Sequence, residues 1–81
     1  MQVEVVLPPL GEDGPGEAKV SFWFHDVGQT VNEGEDLVEM VTDKASFTVP
    51  APAAGRLVET AVGEGDVVTV GRRIGVIETE D

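Results

Sequence analysis

Apolar and polar residues alternate along the chain in short runs, and each run is closed by residues that favour turns. Alternation with a period of two is typical of β-strands, whose successive side chains point to opposite faces of a sheet. No apolar stripe at helical spacing lasts long enough to predict a helix. The breaks, such as PPLGEDGPGE and PAPAAG, are rich in Gly, Pro and Asp. The predicted strands are Val3–Leu7, Lys19–Phe24, Thr30–Val31, Leu37–Val41, Ser46–Val49, Arg56–Thr60, Val67–Val70 and Gly75–Glu78.

The same pattern occurs twice. A shift of 37 residues places Val20–Lys44 on Leu57–Asp81. Identity between the two copies is close to chance, but turn glycines and the apolar positions between them keep register. The matched pairs are Gly28 with Gly65, Val31 with Val68, Gly34 with Gly71, Leu37 with Ile74, Met40 with Ile77, Thr42 with Thr79 and Asp43 with Glu80. Two such halves would bury each other's apolar faces, which predicts an all-β sandwich or flattened barrel with an internal pseudo-twofold axis.

The repeat also predicts where the two ends of the domain lie. Lys44 in the first half corresponds to Asp81, the last residue, in the second. A twofold axis between the halves would therefore place Lys44 and the C-terminus at opposite ends of the molecule.

Composition agrees with a small all-β domain. The chain has 81 residues, of which 41% are hydrophobic and fifteen are valine. Valine packs well on a pleated surface because its branched Cβ suits the extended backbone. There is no cysteine, so the core depends on apolar side chains alone.

The charge is strongly acidic. Sixteen Asp and Glu residues against five Lys and Arg give a formal net charge of −11. Nucleic acids and anionic membranes would repel such a chain, whereas a basic surface on a protein partner would attract it. No apolar run approaches the length of a membrane span, so we expect a soluble intracellular module.

One of the two lysines lies in the centre of a predicted hairpin. In EMVTDKASFTV, alternation on both sides of Asp43–Lys44 predicts two antiparallel strands joined by a tight turn. Because the turn has no glycine, a type I-like conformation is favoured over the primed types, which require positive φ. Both central side chains would then point into solvent. An Asp–Lys turn is by itself an ordinary surface feature.

The wider pattern is more specific. VTDKASFTVPAPAAGRL, with LPPLGE upstream and VGQTVNEGEDL just before it, resembles the lipoyl domain of 2-oxo acid dehydrogenase acyltransferases. The resemblance extends from Val6 to about Glu78. It implies a flattened barrel of two four-stranded sheets related by a pseudo-twofold, a barrel-sandwich hybrid. It also implies lipoic acid amide-linked to Lys44, with Asp43 and Ala45 flanking it for recognition by the attaching enzyme.

The resemblance further implies a carrier and not an enzyme. The lipoyl arm would move acyl groups and reducing equivalents between a thiamine-diphosphate-dependent 2-oxo acid decarboxylase, an acyltransferase core and dihydrolipoyl dehydrogenase. A lipoate ligase or lipoyl transferase would attach it, in the bacterial cytoplasm or the mitochondrial matrix. Residues 1–81 would be one domain, excised from a longer acyltransferase and monomeric when isolated.

The loop LGEDGPGEAK, residues 10–19, is the predicted partner-recognition element. In the lipoyl family this loop lies beside the modified hairpin and contributes to recognition by the decarboxylase. Glu12, Asp13 and Glu17 make it acidic here, and Gly14 helps to shape its bend. The loop is about one residue longer than the common pattern, which leaves the identity of the partner open.

Other readings compete with the lipoyl carrier. Biotin carriers share the fold, but they usually flank the lysine with methionines, whereas Met40 lies four residues back here. An unmodified assembly module would leave Lys44 without a role. The glycine-cleavage H protein is longer, with helical additions that this chain lacks.

Catalytic and metal sites are not predicted. His25, the only histidine, is expected to be a surface residue at a strand end; a triad of it with Asp26 and Ser21 or Ser46 lacks a cleft, and no metal-ligand spacing occurs.

The consecutive aromatics Phe22, Trp23 and Phe24 cannot share one face of a regular strand. Phe22 and Phe24 are expected on one face and Trp23 on the other. We expect most of this cluster to pack in the core, with Trp23 partly exposed.

Overall fold

Eight β-strands make up the computed structural model, which describes residues 1–10 and 16–79. Every predicted strand is present, and no bound differs from its prediction by more than two residues. No helix in the described part of the chain is long and apolar enough to cross a membrane. The strands are β1 (Gln2–Val6), β2 (Glu17–Trp23), β3 (Thr30–Val31), β4 (Asp36–Val41), β5 (Ser46–Pro50), β6 (Gly55–Thr60), β7 (Val67–Thr69) and β8 (Arg73–Glu78).

The strands form two four-stranded antiparallel sheets with the orders β1-β8-β6-β3 and β5-β4-β2-β7. The sheets face each other without closing into a continuous barrel, and the molecule measures 37 × 23 × 17 Å along its principal axes. The predicted flattened sandwich is confirmed.

The pseudo-twofold is visible in the strand orders themselves. Exchanging β1, β8, β6 and β3 for β5, β4, β2 and β7 turns one sheet into the other. The 37-residue shift carries Asp36–Val41 onto Arg73–Glu78, the full lengths of β4 and β8. Four turn glycines follow the same relation and have positive φ: Gly28 (100°), Gly34 (86°), Gly65 (89°) and Gly71 (89°).

Each half holds the turns of the other half. The amide of Gly28 donates a hydrogen bond of 2.7 Å to the carbonyl of Leu57, and the amide of Gly65 donates one of 2.9 Å to the carbonyl of Val20. These two bonds are related by the 37-residue shift. The backbone groups of each turn are therefore satisfied only when both halves are folded together.

The core lies between the two sheets and receives side chains from both. Leu37 and Ile74, which the repeat relates, are both fully buried. Full burial of one such side chain contributes about 1.5–3 kcal/mol. The core consists of Val5, Leu7, Ala18, Val20, Val31, Leu37, Val38, Met40, Val49, Ala51, Leu57, Val62, Val68, Ile74 and Ile77.

A β-bulge in β2 decides which aromatic side chain enters the core. The pairing of β2 with β4 shifts between Val20 and Phe22, so Ser21 is an extra residue and the alternation of faces reverses after it. Trp23 is half-buried and packs against the core, whereas Phe22 and Phe24 are 37% and 43% exposed. The two phenylalanines do share a face, but the expectation that most of the cluster lies in the core is wrong.

Hydrogen bonds locate the two ends of the sandwich. Val70 donates a 2.9 Å hydrogen bond to the carbonyl of Gly16, the residue before β2. Leu7 donates one of 3.1 Å to the carbonyl of Arg72, the residue before β8. Because Val70 and Arg72 both come just before β8, that strand begins beside the start of β2. The start of β2 pairs with the end of β4, next to Lys44. Because β8 runs away from this end, Thr79 lies at the opposite end from Lys44. Asp81 itself falls outside the described residues.

Candidate functional site

Lys44 lies at the tip of the β4–β5 hairpin. The last pair of the ladder joins Val41 to Ser46, and beyond it the amide of Thr42 donates a 2.8 Å hydrogen bond to the carbonyl of Ala45. Asp43, Lys44 and Ala45 are all exposed. The hairpin thus presents three consecutive side chains to solvent on a turn closed by backbone hydrogen bonding.

The hydroxyl of Thr42 fixes this turn from below. Its Oγ1 accepts hydrogen bonds from the amides of Lys44 and Ala45, both at 3.2 Å, and donates to the carbonyl of Ala45 at 3.1 Å. The role of Thr42 was missed by the sequence analysis, although a threonine immediately before a tight turn is a known signal for side-chain capping of the backbone. Outside glycine no described residue has positive φ, which confirms that the turn is not of a primed type.

The Lys44 side chain is exposed at the tip of the hairpin. Among residues 1–10 and 16–79 its ammonium forms neither an ion pair nor a hydrogen bond. An exposed primary amine on a fixed turn can be surrounded by a modifying enzyme. None of the described residues forms a wall over Lys44 that would confine a chain attached to its amine.

An open groove of about 420 Å³ lies beside the turn. It includes Glu17, which is exposed at the start of β2, together with Asp43 at the tip. Glu17 thus lies on the groove beside the hairpin, the position that the family resemblance implies for this end of the loop. Glu12, Asp13 and Gly14 lie outside the described residues. The groove is lined by Glu17, Ala18, Lys19, Val41, Thr42, Asp43 and Val67.

A second depression, of about 1110 Å³, lies at the other end of the sandwich, between Met1, Thr79 and the β3 edge. It contains neither lysine. In the described part of the chain no three His, Asp or Glu side chains are grouped to hold a metal ion. His25 is half-buried just after β2, and its Nε2 lies 3.4 Å from a carboxylate oxygen of Glu35.

Comparison with known sequences gives a consistent family. The family model of biotinyl and lipoyl attachment domains, described as "Biotin-requiring enzyme", matches residues 3–77. The succinyltransferase component of a 2-oxoglutarate dehydrogenase complex from Bartonella vinsonii is 44% identical over 96% of this chain. The lipoamide acyltransferase component of a branched-chain α-keto acid dehydrogenase complex from Pseudomonas aeruginosa is 37% identical over 94%. The chain spans 19% and 18% of the length of these two relatives.

Solved structures agree with the sequences. The lipoyl domain of the 2-oxoglutarate dehydrogenase complex from Azotobacter vinelandii superposes with a TM-score of 0.73 at 28% identity, covering 95% of this chain and 99% of that one. Urea carboxylase from Kluyveromyces lactis, at 18% identity and a TM-score of 0.81 over 6% of its length, shares the fold alone. The chain therefore belongs to the biotinyl and lipoyl attachment family, as a non-catalytic carrier domain of the lipoyl type found in 2-oxo acid dehydrogenase acyltransferases.

Proposed function

We propose that Lys44 carries lipoic acid in amide linkage on Nζ and that this domain presents the resulting arm to successive active sites. The observation that carries the proposal is the position of Lys44 at an exposed tip whose backbone is held by Thr42. A carrier needs a long mobile arm on a stiff base. The lysine stem begins the arm, and the hydrogen-bonded hairpin on a packed sandwich provides the base.

The residues at the tip fit this group. The Lys44 amine is accessible and, within the described chain, unpaired, so acylation breaks no contact. Conversion of the ammonium to an amide lowers the formal net charge from −11 to −12. When attached, the lipoyl group supplies a disulfide that can take up an acyl group with two electrons and release them again. The domain supplies position and recognition, with Asp43 and Ala45 as the exposed neighbours that the attaching enzyme contacts.

We further propose that the chain is one domain of a longer acyltransferase within a 2-oxo acid dehydrogenase complex, in the bacterial cytoplasm or the mitochondrial matrix. Its partners would be a thiamine-diphosphate-dependent decarboxylase, the acyltransferase core and dihydrolipoyl dehydrogenase. Relatives named for the 2-oxoglutarate, branched-chain and pyruvate complexes support this, at 44%, 37% and 38% identity. Relatives from three kinds of complex match about equally well. The similarity therefore supports the carrier role that these complexes share, and it does not favour one 2-oxo acid over the others.

The first experiment is the intact mass of the protein after incubation with a lipoate ligase, lipoic acid and ATP. A single lipoyl addition is expected, and a peptide digest should place it on Lys44. Lys44→Arg should remain folded and unmodified, whereas Lys19→Arg, the matched control on the only other lysine, should be modified as the parent is. No addition, with a ligase active on a control domain, would contradict the proposal. A biotin ligase would then distinguish a biotinyl carrier from an unmodified assembly module.

Partner recognition is proposed for the acidic segment Glu12, Asp13, Gly14 and Glu17, supported by the exposure of Glu17 on the groove beside the hairpin. Changing the three acids together to Gln, Asn and Gln should slow reductive acylation by the cognate decarboxylase while leaving lipoylation unchanged. Assaying decarboxylases specific for pyruvate, 2-oxoglutarate and branched-chain 2-oxo acids would identify the cognate one. Equal rates for parent and variant with all three enzymes would remove this segment from recognition.

A further inference from the structure

An exposed aromatic pair lies on the outer face of the sheet β5-β4-β2-β7. The rings of Phe22 and Phe24 meet edge to face, with centroids 4.6 Å apart and an interplanar angle of 67°. They are 37% and 43% exposed. Single exposed apolar side chains are common on protein surfaces, but two large rings in contact form a patch, which is a feature of interaction sites.

The architecture does not require aromatic residues at these positions. The 37-residue shift relates Phe22 and Phe24 to Glu59 and Ala61 on the other sheet. There Glu59 forms an ion pair of 3.3 Å with Arg73 on a solvated surface. The same bulge and the same strand pairing occur in both sheets. The fold therefore accepts a polar residue at the position that Phe22 occupies. The aromatic pair is therefore specific to one face.

Carboxylates lie next to the rings. Glu39 is directly opposite Phe22 in the ladder, and Thr48 is opposite Glu39 on the next strand. The hydroxyl of Thr48 donates a 3.1 Å hydrogen bond to Asp36, which brings a second carboxylate to this face. Neither Glu39 nor Asp36 forms an ion pair with any described residue. The surface thus combines ring faces with two carboxylates that no described cation neutralises.

We propose that Phe22, Phe24, Asp36 and Glu39, here called the aromatic–acidic face, bind a basic protein segment that places an arginine beside an apolar side chain. A guanidinium can stack on a phenyl ring while its N–H groups pair with the neighbouring carboxylates. The net charge of −11 favours the same class of partner at longer range. The apolar neighbour would cover the remaining ring surface.

The aromatic–acidic face is separate from the lipoyl site. Lys19 pairs with Val41 at the hairpin end of the sheet. Phe22 lies farther along β2 and Phe24 directly after its end, both away from Lys44. A partner could therefore hold the domain by its flank while the arm on Lys44 remains free. The proposal does not depend on lipoylation, and it is tested on the unmodified protein.

The test is titration, followed by NMR chemical shifts and calorimetry, with a short unstructured peptide that alternates arginine and leucine. Shifts are expected in the amides of Phe22, Phe24 and Glu39. The double substitution Phe22→Ser/Phe24→Ser should weaken affinity about ten-fold, and Glu39→Gln should weaken it several-fold. Matched controls on the other sheet, Val6→Ser and Glu4→Gln, should leave it unchanged. A thermal scan and normal lipoylation would show that each variant is folded.

Peptide controls separate the two parts of the interaction. Replacing arginine by citrulline removes the charge at constant shape, and replacing leucine by serine removes the apolar neighbour; each should abolish the localised shifts. Shifts spread over all acidic residues and insensitive to the phenylalanine substitutions would overturn the proposal in favour of unspecific charge attraction. Self-association through these rings, seen by sedimentation, or binding to phosphatidylcholine vesicles that Phe22→Ser/Phe24→Ser abolishes, would likewise overturn it.

Discussion

Thr42 and Thr79 make the same pair of hydrogen bonds at the two ends of the sandwich. The amide and hydroxyl of Thr42 both donate to the carbonyl of Ala45, at 2.8 and 3.1 Å. The amide and hydroxyl of Thr79 both donate to the carbonyl of Met1, at 2.8 and 3.2 Å. The pair of hydrogen bonds made by Thr42 closes the turn that carries Lys44. The pseudo-symmetric pair made by Thr79 joins the end of β8 to the start of β1.

Thr42→Val is therefore expected to loosen the lysine turn. The substitution keeps the shape and removes a hydroxyl that accepts two hydrogen bonds and donates one. We expect a loss of about 1–2 kcal/mol in the free energy of unfolding, faster amide exchange at Lys44 and Ala45, and slower lipoylation. Urea unfolding, hydrogen exchange and ligase kinetics measure these three effects.

Thr79→Val is the matched control, because it removes the equivalent hydroxyl at the far end. It should destabilise by about 1 kcal/mol and leave the lipoylation rate unchanged. Thr42→Ser should restore the turn. If Thr42→Val and Thr79→Val slowed lipoylation equally, the effect would come from lost stability and not from the turn.

Gly55 is required by a close approach of two strands. A Cβ at this position would lie against the carbonyl oxygen of Glu78 and 2.9 Å from Cγ2 of Ile77. Because backbone cannot move aside cheaply, Gly55→Ala should destabilise by about 3 kcal/mol. Gly63→Ala, where nothing lies within 4 Å, should change stability by no more than about 0.5 kcal/mol. Similar thermal midpoints for both variants would contradict this account.

Gly75 makes room for the indole of Trp23. An added Cβ would lie 3.2 Å from the indole Cη2 and 3.0 Å from the carbonyl oxygen of Glu59. Gly75→Ala should push the ring outward, shift its fluorescence to longer wavelength and cost about 1–2 kcal/mol. The hydrogen bond from its Nε1 to Val62, 3.0 Å long, would weaken too. In a double-mutant cycle Trp23→Phe should recover part of that cost; strict additivity would mean that the two residues do not interact.

Self-repulsion among the carboxylates should make stability depend on salt. Raising sodium chloride from ~0.01 to ~0.15 M shortens the screening length from ~30 to ~8 Å. At a net charge of −11 we expect a gain of about 1 kcal/mol, or roughly 4–8 °C in Tm. Glu4→Gln/Glu33→Gln/Glu64→Gln should show a smaller gain in a thermal scan. A Tm independent of salt in the parent protein would refute the repulsion argument.

Sequence periodicity predicted the strands, the repeat and the exposed position of Lys44, because these follow from local rules. The matched glycines were used to place equivalent turns in the two halves, and in the structure all four have positive φ, which glycine adopts without steric cost. The twofold arrangement followed because neither half can bury its apolar positions alone.

Two features could not be predicted in this way. The bulge at Ser21 reverses the faces of Phe22, Trp23 and Phe24, and nothing in the local pattern marks one residue as extra. Its position depends on how β2 pairs with β4, which is a tertiary property. The three hydrogen bonds of the Thr42 hydroxyl likewise depend on the precise path of the turn, although the residue type offered a signal.

The bond between Gly28 and Leu57 is matched by the bond between Gly65 and Val20, so the backbones of the two halves are nearly equivalent. A scaffold of this kind has two equivalent poles and no built-in direction. A few side chains distinguish the two ends and the two flanks. The Asp43–Lys44 turn lies at one end, and two phenylalanine rings stand in place of Glu59 and Ala61 on one flank. Such a domain can exchange its working parts by surface substitution while its framework stays the same.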